Sequence, residues 1–381
     1  MFKETLLTLC LTSTVLAASS YKDQLQQFQE YKHSQETSFE NYRKEQNKIF
    51  LQYKKELRAY WDDPKLSNKK EWISYSSDKK TRTDINFETE TIKIETVADS
   101  EKEAQQKIDL ALAKAVTIDT KSAFESDPLQ QRLGKVKKPA EVVDAKPDAK
   151  PILKNIVFKQ SPTKKDVREY VTKKTQQLKL KKKKEKKIYF VDIKLPKNTT
   201  YKRSKEYLYD VRKNSLKQSI PLHLIFAIIH SESSFNPMAR SHIPAYGLMQ
   251  IVPKTAGIDA YYYLYNKKRL VSGSYLYNSQ NNIQMGSAYL HILYYRYLRA
   301  IKNPKSRLYC TIAAYNTGAG NVARAFVRSN NVKSAAKVIN RLTPEQVYNR
   351  LLRDLKYDEP KHYLKRVRKR MNVYKEVYKS S

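Results

Sequence analysis

The segment Pro221-Leu-His-Leu-Ile-Phe-Ala-Ile-Ile-His-Ser-Glu232 ends an apolar run on a carboxyl group. Its spacing predicts a helix over 221–234, with Pro221 in the first turn, where a missing N–H costs nothing. Ile225, Ile228 and Ile229 mark the buried face. Glu232 lies four residues beyond Ile228 and three beyond Ile229, so its carboxyl points along that stripe. A carboxyl desolvated in this way has its charged form disfavoured, which raises a pKa. An acid that keeps its proton near neutral pH suits protonation of a glycosidic leaving group. Position alone favours a plainer arrangement, a glutamate at a helix end salt-bridged to one of many lysines. Phe235-Asn236-Pro237 then stops the helix, because a residue before proline disfavours helical backbone.

Other chemistry-bearing residues add little. The six histidines lack metal-ligand spacing, and His223 and His230 stand seven apart on one helix. His230 points elsewhere around the helix than Glu232, which suggests a surface role. No phosphate-cradling glycine loop or nucleophilic serine motif is present, and neither a metal nor a cofactor is implied. Glycosidases generally use two carboxyl groups, yet Asp259 is the one acid between Ser233 and Gly320. Asp259 reads as a helix N-cap, and folding could bring in Glu345 or Asp354. Tyr261-Tyr262-Tyr263 and Tyr294-Tyr295 could stack on sugar rings or pack helices together.

The elements that would position Glu232 are helical. After Pro196 a helical period dominates, with candidates near 201–217, 221–234, 281–301, 306–315, 344–356 and 360–378. Before it the pattern is mixed. Leu25, Phe28, Phe39, Tyr42, Ile49, Tyr53 and Tyr60 suit one stripe on a long helix ended by Asp62-Asp63-Pro64. Ile85 and Phe87, then Ile92 and Ile94, alternate as a β-hairpin. A helix follows over 101–116, then a proline-rich loop over 135–151. Ile152–Phe158 and Ile188–Leu195 read as short β-rich runs flanking a lysine tract. The expected fold class is α+β: a mixed helix and β-hairpin domain over 21–195, including a lysine-rich segment 179–187, then an all-α domain over 196–381.

Seven glycines against 29 tyrosines favour aromatic-packed helices over a glycine-rich sandwich in this chain of 381 residues. The formal charge of +36 points to a polyanionic partner: nucleic acid, anionic lipid or an acidic wall polymer. The run Lys181–Lys184 with Lys186 and Lys187 equally suits a solvated tether. Met1–Ser20 argues against nucleic acid. Lys3, the apolar stretch Leu6–Leu16 and the small residues Ala17, Ala18 and Ser19 form a secretory signal pattern, with 1–18 as signal peptide. Its apolar stretch is short for a membrane span. Cys10 lies in mid-stretch rather than after a small residue at its end, so lipidation is not expected. Cys310 is then the one thiol left in the mature chain. The expected location is the periplasm, with outer-membrane association or peripheral contact with anionic membrane possible for so basic a protein.

Three motifs carry a family resemblance. Glu232-Ser-Ser-Phe-Asn-Pro237, Ala245-Tyr-Gly-Leu-Met-Gln-Ile251 and Ala314-Tyr-Asn-Thr-Gly318 stand in order as in the SLT-type lytic transglycosylases. Ser241-His-Ile-Pro-Ala-Tyr-Gly-Leu-Met-Gln, Ser306-Arg-Leu-Tyr-Cys310 and Ala319-Gly-Asn-Val bring the chain nearer the membrane-bound lytic murein transglycosylase C family. The first half resembles that family's amino-terminal domain through its aromatic-spaced helix, Trp72 and hairpin. That resemblance implies a goose-type, lysozyme-like catalytic domain, expected as a monomer, that cleaves peptidoglycan glycan strands. It implies Glu232 as catalytic acid and then base, Gln250 as a hydrogen-bond partner of the sugar, and Met249 beside it in the cleft. Tyr315 would orient the glutamate or glycan, and Asn316 would support its loop. Ser241, by a hydrogen bond to the carboxyl, and Tyr363, from the last cleft helix, are the remaining site residues implied. The implied cleavage of the MurNAc-β-1,4-GlcNAc bond leaves 1,6-anhydro ends, and a lone acid fits it. The alternatives are a hydrolytic goose-type lysozyme, a non-catalytic murein-binding scaffold, and a polyanion binder motivated by charge alone.

Overall fold

A computed structural model of the chain describes residues 40–140, 142–183, 186–241 and 245–379. The expected signal peptide and the first part of the aromatic stripe lie outside these residues. The described chain divides into two compact units. One holds the residues up to Glu56 with Leu129–Ala140. A helix over 40–57 provides most of it and buries Tyr42 and Tyr53. The Arg132 guanidinium grips both Glu56 oxygens, at 2.7 and 2.9 Å, and lies 5.4 Å from the Tyr53 ring centre.

The other unit, Leu57–Pro128 with the residues from 142 on, holds the sheet and the remaining helices. Strands β1 (Glu71–Tyr75), β2 (Thr81–Asn86), β3 (Thr91–Val97), β5 (Lys179–Lys183) and β6 (Lys186–Lys194) form an antiparallel sheet ordered β1-β2-β3-β6-β5. The expected hairpin is thus β2–β3 within a larger sheet. Its register aligns Trp72, Ile85, Ile92 and Ile193 in one row across four strands. That apolar face is covered by helix Glu101–Thr117 through Ala104, Ile108, Leu112 and Ala115, a spacing that fits a helix face. Ser100 caps this helix by accepting from the Glu103 N–H.

Three local expectations need correction. The described part of the lysine tract is no tether: Lys182 pairs with Lys187 and Lys183 with Lys186 as strand β5 adds to β6 at the sheet edge. Ile152–Phe158 holds a short helix, Lys154–Val157, rather than a strand, because Leu153 and Ile156 bury at helical spacing. The run 135–151 is not all loop. Its β4 (Val142–Val143) pairs in parallel with β7 (Leu270–Val271), over a hundred residues away.

Strand β6 ends at Lys194 and helices follow from Thr199. The expected 201–217 helix is broken at Tyr207 into Thr199–Glu206 and Leu208–Gln218. Tyr207 is buried there and stacks on Phe235 at 6.1 Å and 14°. The other five expected helices appear as Leu222–Ser233, Ser279–His291 continued by a wider-wound turn Ile292–Tyr297, Pro304–Thr317, Pro344–Asp354 and Asp358–Val377. Asn303 with Pro304, and Thr343 with Gln346, start two of them by capping. The fold is α+β, with the five-stranded sheet in the first half and helices dominating the second, which is not all-α because it holds the short strand β7.

Candidate active site

Helix Leu222–Ser233 is more deeply set than a one-sided stripe. All six residues Leu224–Ile229 are buried, so it is apolar on every side. It packs most closely against helix Asp358–Val377. It ends before Pro237 acts. Ser234 at φ 51° and Phe235 at φ 61° are left-handed, and the Ser234 N–H returns to the His230 carbonyl at 3.1 Å. Such backbone at an aromatic residue costs roughly 1–2 kcal/mol. Burial of Phe235 against Tyr207, Phe226 and His230 holds it there.

Glu232 is 5 % exposed, at the last turn of that helix. Two phenols face it. Tyr363, from helix Asp358–Val377, is buried, and its hydroxyl has no settled hydrogen-bond partner. Burial and then the Glu232 charge raise its pKa far above the tyrosine range. Tyr315, from helix Pro304–Thr317, is raised in the same sense by burial, Glu232 and Tyr289. Both therefore remain O–H donors across the physiological range.

Tyr315 donates its hydroxyl proton to the Met249 carbonyl at 2.8 Å. This joins the acid to the turn Gly247–Gln250. Gly247 sits at φ 73°, and a Cβ there would lie 2.3 Å from the Leu276 carbonyl, so only glycine fits. Asn282 holds the turn. It accepts from the Met249 N–H at 2.8 Å and donates to the Tyr246 and Leu276 carbonyls at 2.8 and 2.9 Å. Gln250, at φ 49°, donates to the Gly247 carbonyl at 3.0 Å and keeps a buried Oε1 without a partner. Met249 does not line an open cleft. Its side chain is wholly buried and lies on Gly286, where an added Cβ would meet Sδ at 2.3 Å.

The structure thus gathers Glu232, Tyr315, Tyr363, Met249 and Gln250. Asn316 is half-buried in the last turn of its helix, and among the described contacts it does not reach Glu232. Ser241 makes a local contact: its hydroxyl accepts from the Ala245 N–H at 3.1 Å. Asp259 is not an N-cap. Gly257 holds that position, and Asp259 accepts from the Tyr297 hydroxyl at 2.9 Å. His230 is not a surface residue either. Its Nδ1 meets the Tyr374 hydroxyl at 3.1 Å, and burial, with Arg370, Lys70 and Arg203 nearby, pushes its pKa down to about 3.

Sequence reasoning missed two lysines. Lys69 Nζ lies 3.4 Å from Glu232 Oε2, so the plainer salt-bridge reading of Glu232 also holds. Lys70 Nζ donates to the His230 and Ser231 carbonyls and to Ser234 Oγ, each at 3.0 Å. It satisfies carbonyls that a helix end leaves open. Burial pushes its pKa down to about 7, against the raising effect of Glu88 and Glu232. Nothing in the sequence marks these two among 74 Lys and Arg residues. A cavity of about 370 Å³ lies elsewhere, lined by Trp72, Tyr75, Thr81, Lys107 and Leu110. Among the described residues no three His, Cys, Asp or Glu side chains gather as metal ligands would.

A family model for the Transglycosylase SLT domain matches residues 210–338, which include Glu232, the Gly247–Gln250 turn and Tyr315. A second, for the membrane-bound lytic murein transglycosylase C N-terminal domain, matches residues 32–123. Membrane-bound lytic murein transglycosylase C of Serratia proteamaculans is 35 % identical over 322 residues, 81 % of this chain and 84 % of that one. The chain belongs to this family. The Salmonella arizonae member is 35 % identical over 317 residues, covering 81 % and 83 % of the two chains. The Sodalis glossinidius member is 43 % identical over 188 residues, 49 % and 52 % of the two. The 70 kDa soluble lytic transglycosylase of Escherichia coli aligns with 47 % of this chain at 21 % identity. That alignment spans 28 % of its own chain, and the TM-score of 0.35 is too low to establish a common fold. Family membership thus rests on the sequence relatives. Among the described residues no helix is long and apolar enough to cross a membrane.

Proposed function

We propose that this family member is a peptidoglycan lytic transglycosylase, a carbon–oxygen lyase in which Glu232 acts first as acid and then as base. The observation that carries the proposal is a buried carboxyl faced by two neutral phenols, Tyr315 and Tyr363, at the end of an apolar helix. Protonated Glu232 gives its proton to the glycosidic oxygen between MurNAc and GlcNAc, and the bond from that oxygen to the anomeric carbon breaks. The carboxylate so formed takes the proton of the muramic acid 6-hydroxyl. That oxygen closes on the anomeric carbon, giving a 1,6-anhydro end with no water consumed. Tyr315 and the Gly247–Gln250 turn support the strand, with the Gln250 amide oxygen as acceptor.

The acids left open by the sequence are engaged elsewhere: Asp259 by Tyr297, Glu345 by Arg368, and Asp354 by Arg350 and Arg353. One observation favours a hydrolytic second reading. Glu359, one turn before Tyr363 on the same helix, reaches that phenol with its charge, though it is exposed and held by Arg366 at 3.2 Å. In this reading catalysis is carried by the helical residues 196–381. The basic charge of +36 and the signal pattern at Met1–Ser20 support an exported, periplasmic protein at the cell envelope.

Mass spectrometry of soluble products from purified murein, digested by wild type and by Glu232→Gln, tests the reading. Anhydro-muramic ends from wild type and none from the variant are expected. Reducing ends that vanish in Glu359→Gln would establish the hydrolytic alternative, and no products from folded wild type would leave a murein-binding scaffold.

A further inference from the structure

The loop ahead of β1 is built into the acid's surroundings. Asn68 Oδ1 accepts the N–H groups of Lys70 and Glu71 at 2.8 and 2.9 Å, which folds residues 68–71 into a turn. The turn is fastened to the segment after the acid helix. Asn236 Nδ2 lies 3.5 and 3.4 Å from the Asn68 and Lys69 carbonyls, and the Arg240 N–H lies 3.4 Å from the former. Lys70 adds its three bonds to His230, Ser231 and Ser234. Backbone fixed in this way delivers Lys69 to one place.

Four cations of the described residues, Lys69, Lys70, Arg203 and Arg370, make contacts at the end of helix Leu222–Ser233. Lys70 is bound to its carbonyls, Arg203 to the Ser234 carbonyl at 3.1 Å, and Arg370 to Ser231 Oγ at 3.0 Å. Only Lys69 of the four contacts the Glu232 carboxyl, and its side chain is 44 % exposed where that of Glu232 is 6 % exposed. This pair cannot persist in the acid form of the site. A protonated Glu232 is no counter-ion, and the exposed Lys69 side chain is then open to the strand.

Granting the peptidoglycan reading, the strand brings carboxylates to that position. Muramic acid ends its 3-lactyl group in a carboxylate where no peptide is attached, and the stem peptide carries carboxylates where one is. We propose that Lys69 is a substrate-binding residue that exchanges Glu232 for a carboxylate borne on the muramic acid of the bound strand. The sheet portion of the chain thereby contributes to strand selection at the acid itself.

The test measures binding by the full chain carrying Glu232→Gln, so that no turnover intervenes and position 232 is neutral. Four probes are compared: strands stripped of peptide, peptide-bearing strands, and each with its carboxyls converted to methylamides. Charged strands should bind about fivefold more tightly than their neutral counterparts, the scale of a half-exposed ion pair. Adding Lys69→Met should abolish that ratio and Lys69→Arg should keep it. Removal of a distant surface charge by Lys217→Met should leave it unchanged. A ratio found only with stripped strands assigns the lactyl carboxylate, and one found only with peptide-bearing strands assigns the stem. Equal binding of charged and neutral strands, or a ratio that survives Lys69→Met, overturns the inference. Wild type that cleaves none of the unmodified strands, with the ratio intact, would instead overturn the peptidoglycan lyase reading and leave Lys69 as a binding residue.

Discussion

The Tyr315 hydroxyl donates to the Met249 carbonyl across 2.8 Å, joining the helix that faces Glu232 to the turn carrying Gln250. Tyr315→Phe removes that donor and leaves a buried carbonyl unpaired. The expected result is a stability loss of about 1–2 kcal/mol and roughly a tenfold fall in turnover. Thermal unfolding and anhydro-product formation measure the two separately.

Asn282 is the buried bracket of the same turn, with one bond accepted and two donated. Asn282→Ala strands three backbone groups, so a loss of about 3–5 kcal/mol is expected by urea denaturation. Asn282→Asp keeps the acceptor for the Met249 N–H but gives up both donations, and should lose most of the activity too.

Gly286 supplies room rather than flexibility. An alanine Cβ would lie 2.3 Å from Met249 Sδ, forcing the methionine and its turn to shift. Gly286→Ala should cost about 1–3 kcal/mol in stability, with a larger proportional loss of turnover than of strand binding. Trimming Met249 in the double variant with Leu should restore part of it.

His230 makes the fold sensitive to acid. Its pKa is about 3 in the folded chain against 6.5 for a free histidine, so the unfolded chain binds more protons between those values. Stability should therefore fall as pH drops through that window, by at most about 1.4 kcal/mol per unit. His230→Gln, which can still accept from Tyr374, should flatten the slope in urea titrations taken between pH 7 and pH 4. An unchanged slope would assign acid sensitivity to other groups.

How much of this was legible beforehand depended on the range of the interaction. The helix ending at Glu232, the hairpin Ile85–Ile94 and the helix starts at Pro304 and Pro344 were readable, because periodicity and capping are set by residues a few positions apart. The broken helix at Tyr207 and the left-handed exit at Ser234 and Phe235 were not. There a distant aromatic partner outweighs local preference: Tyr207 breaks the helix to stack on Phe235.

The order of the chain by itself determined an acid at the end of an apolar helix and the three motifs around it. Tertiary structure alone decided what that acid meets. Tyr363 lies 131 residues from Glu232 in sequence and is brought against it by packing of two helices. Lys69 reaches it from 163 residues away through a turn held by Asn236. No local pattern encodes such pairs, because a charge or a phenol acts through a few ångströms of space and a linear sequence records none of those distances.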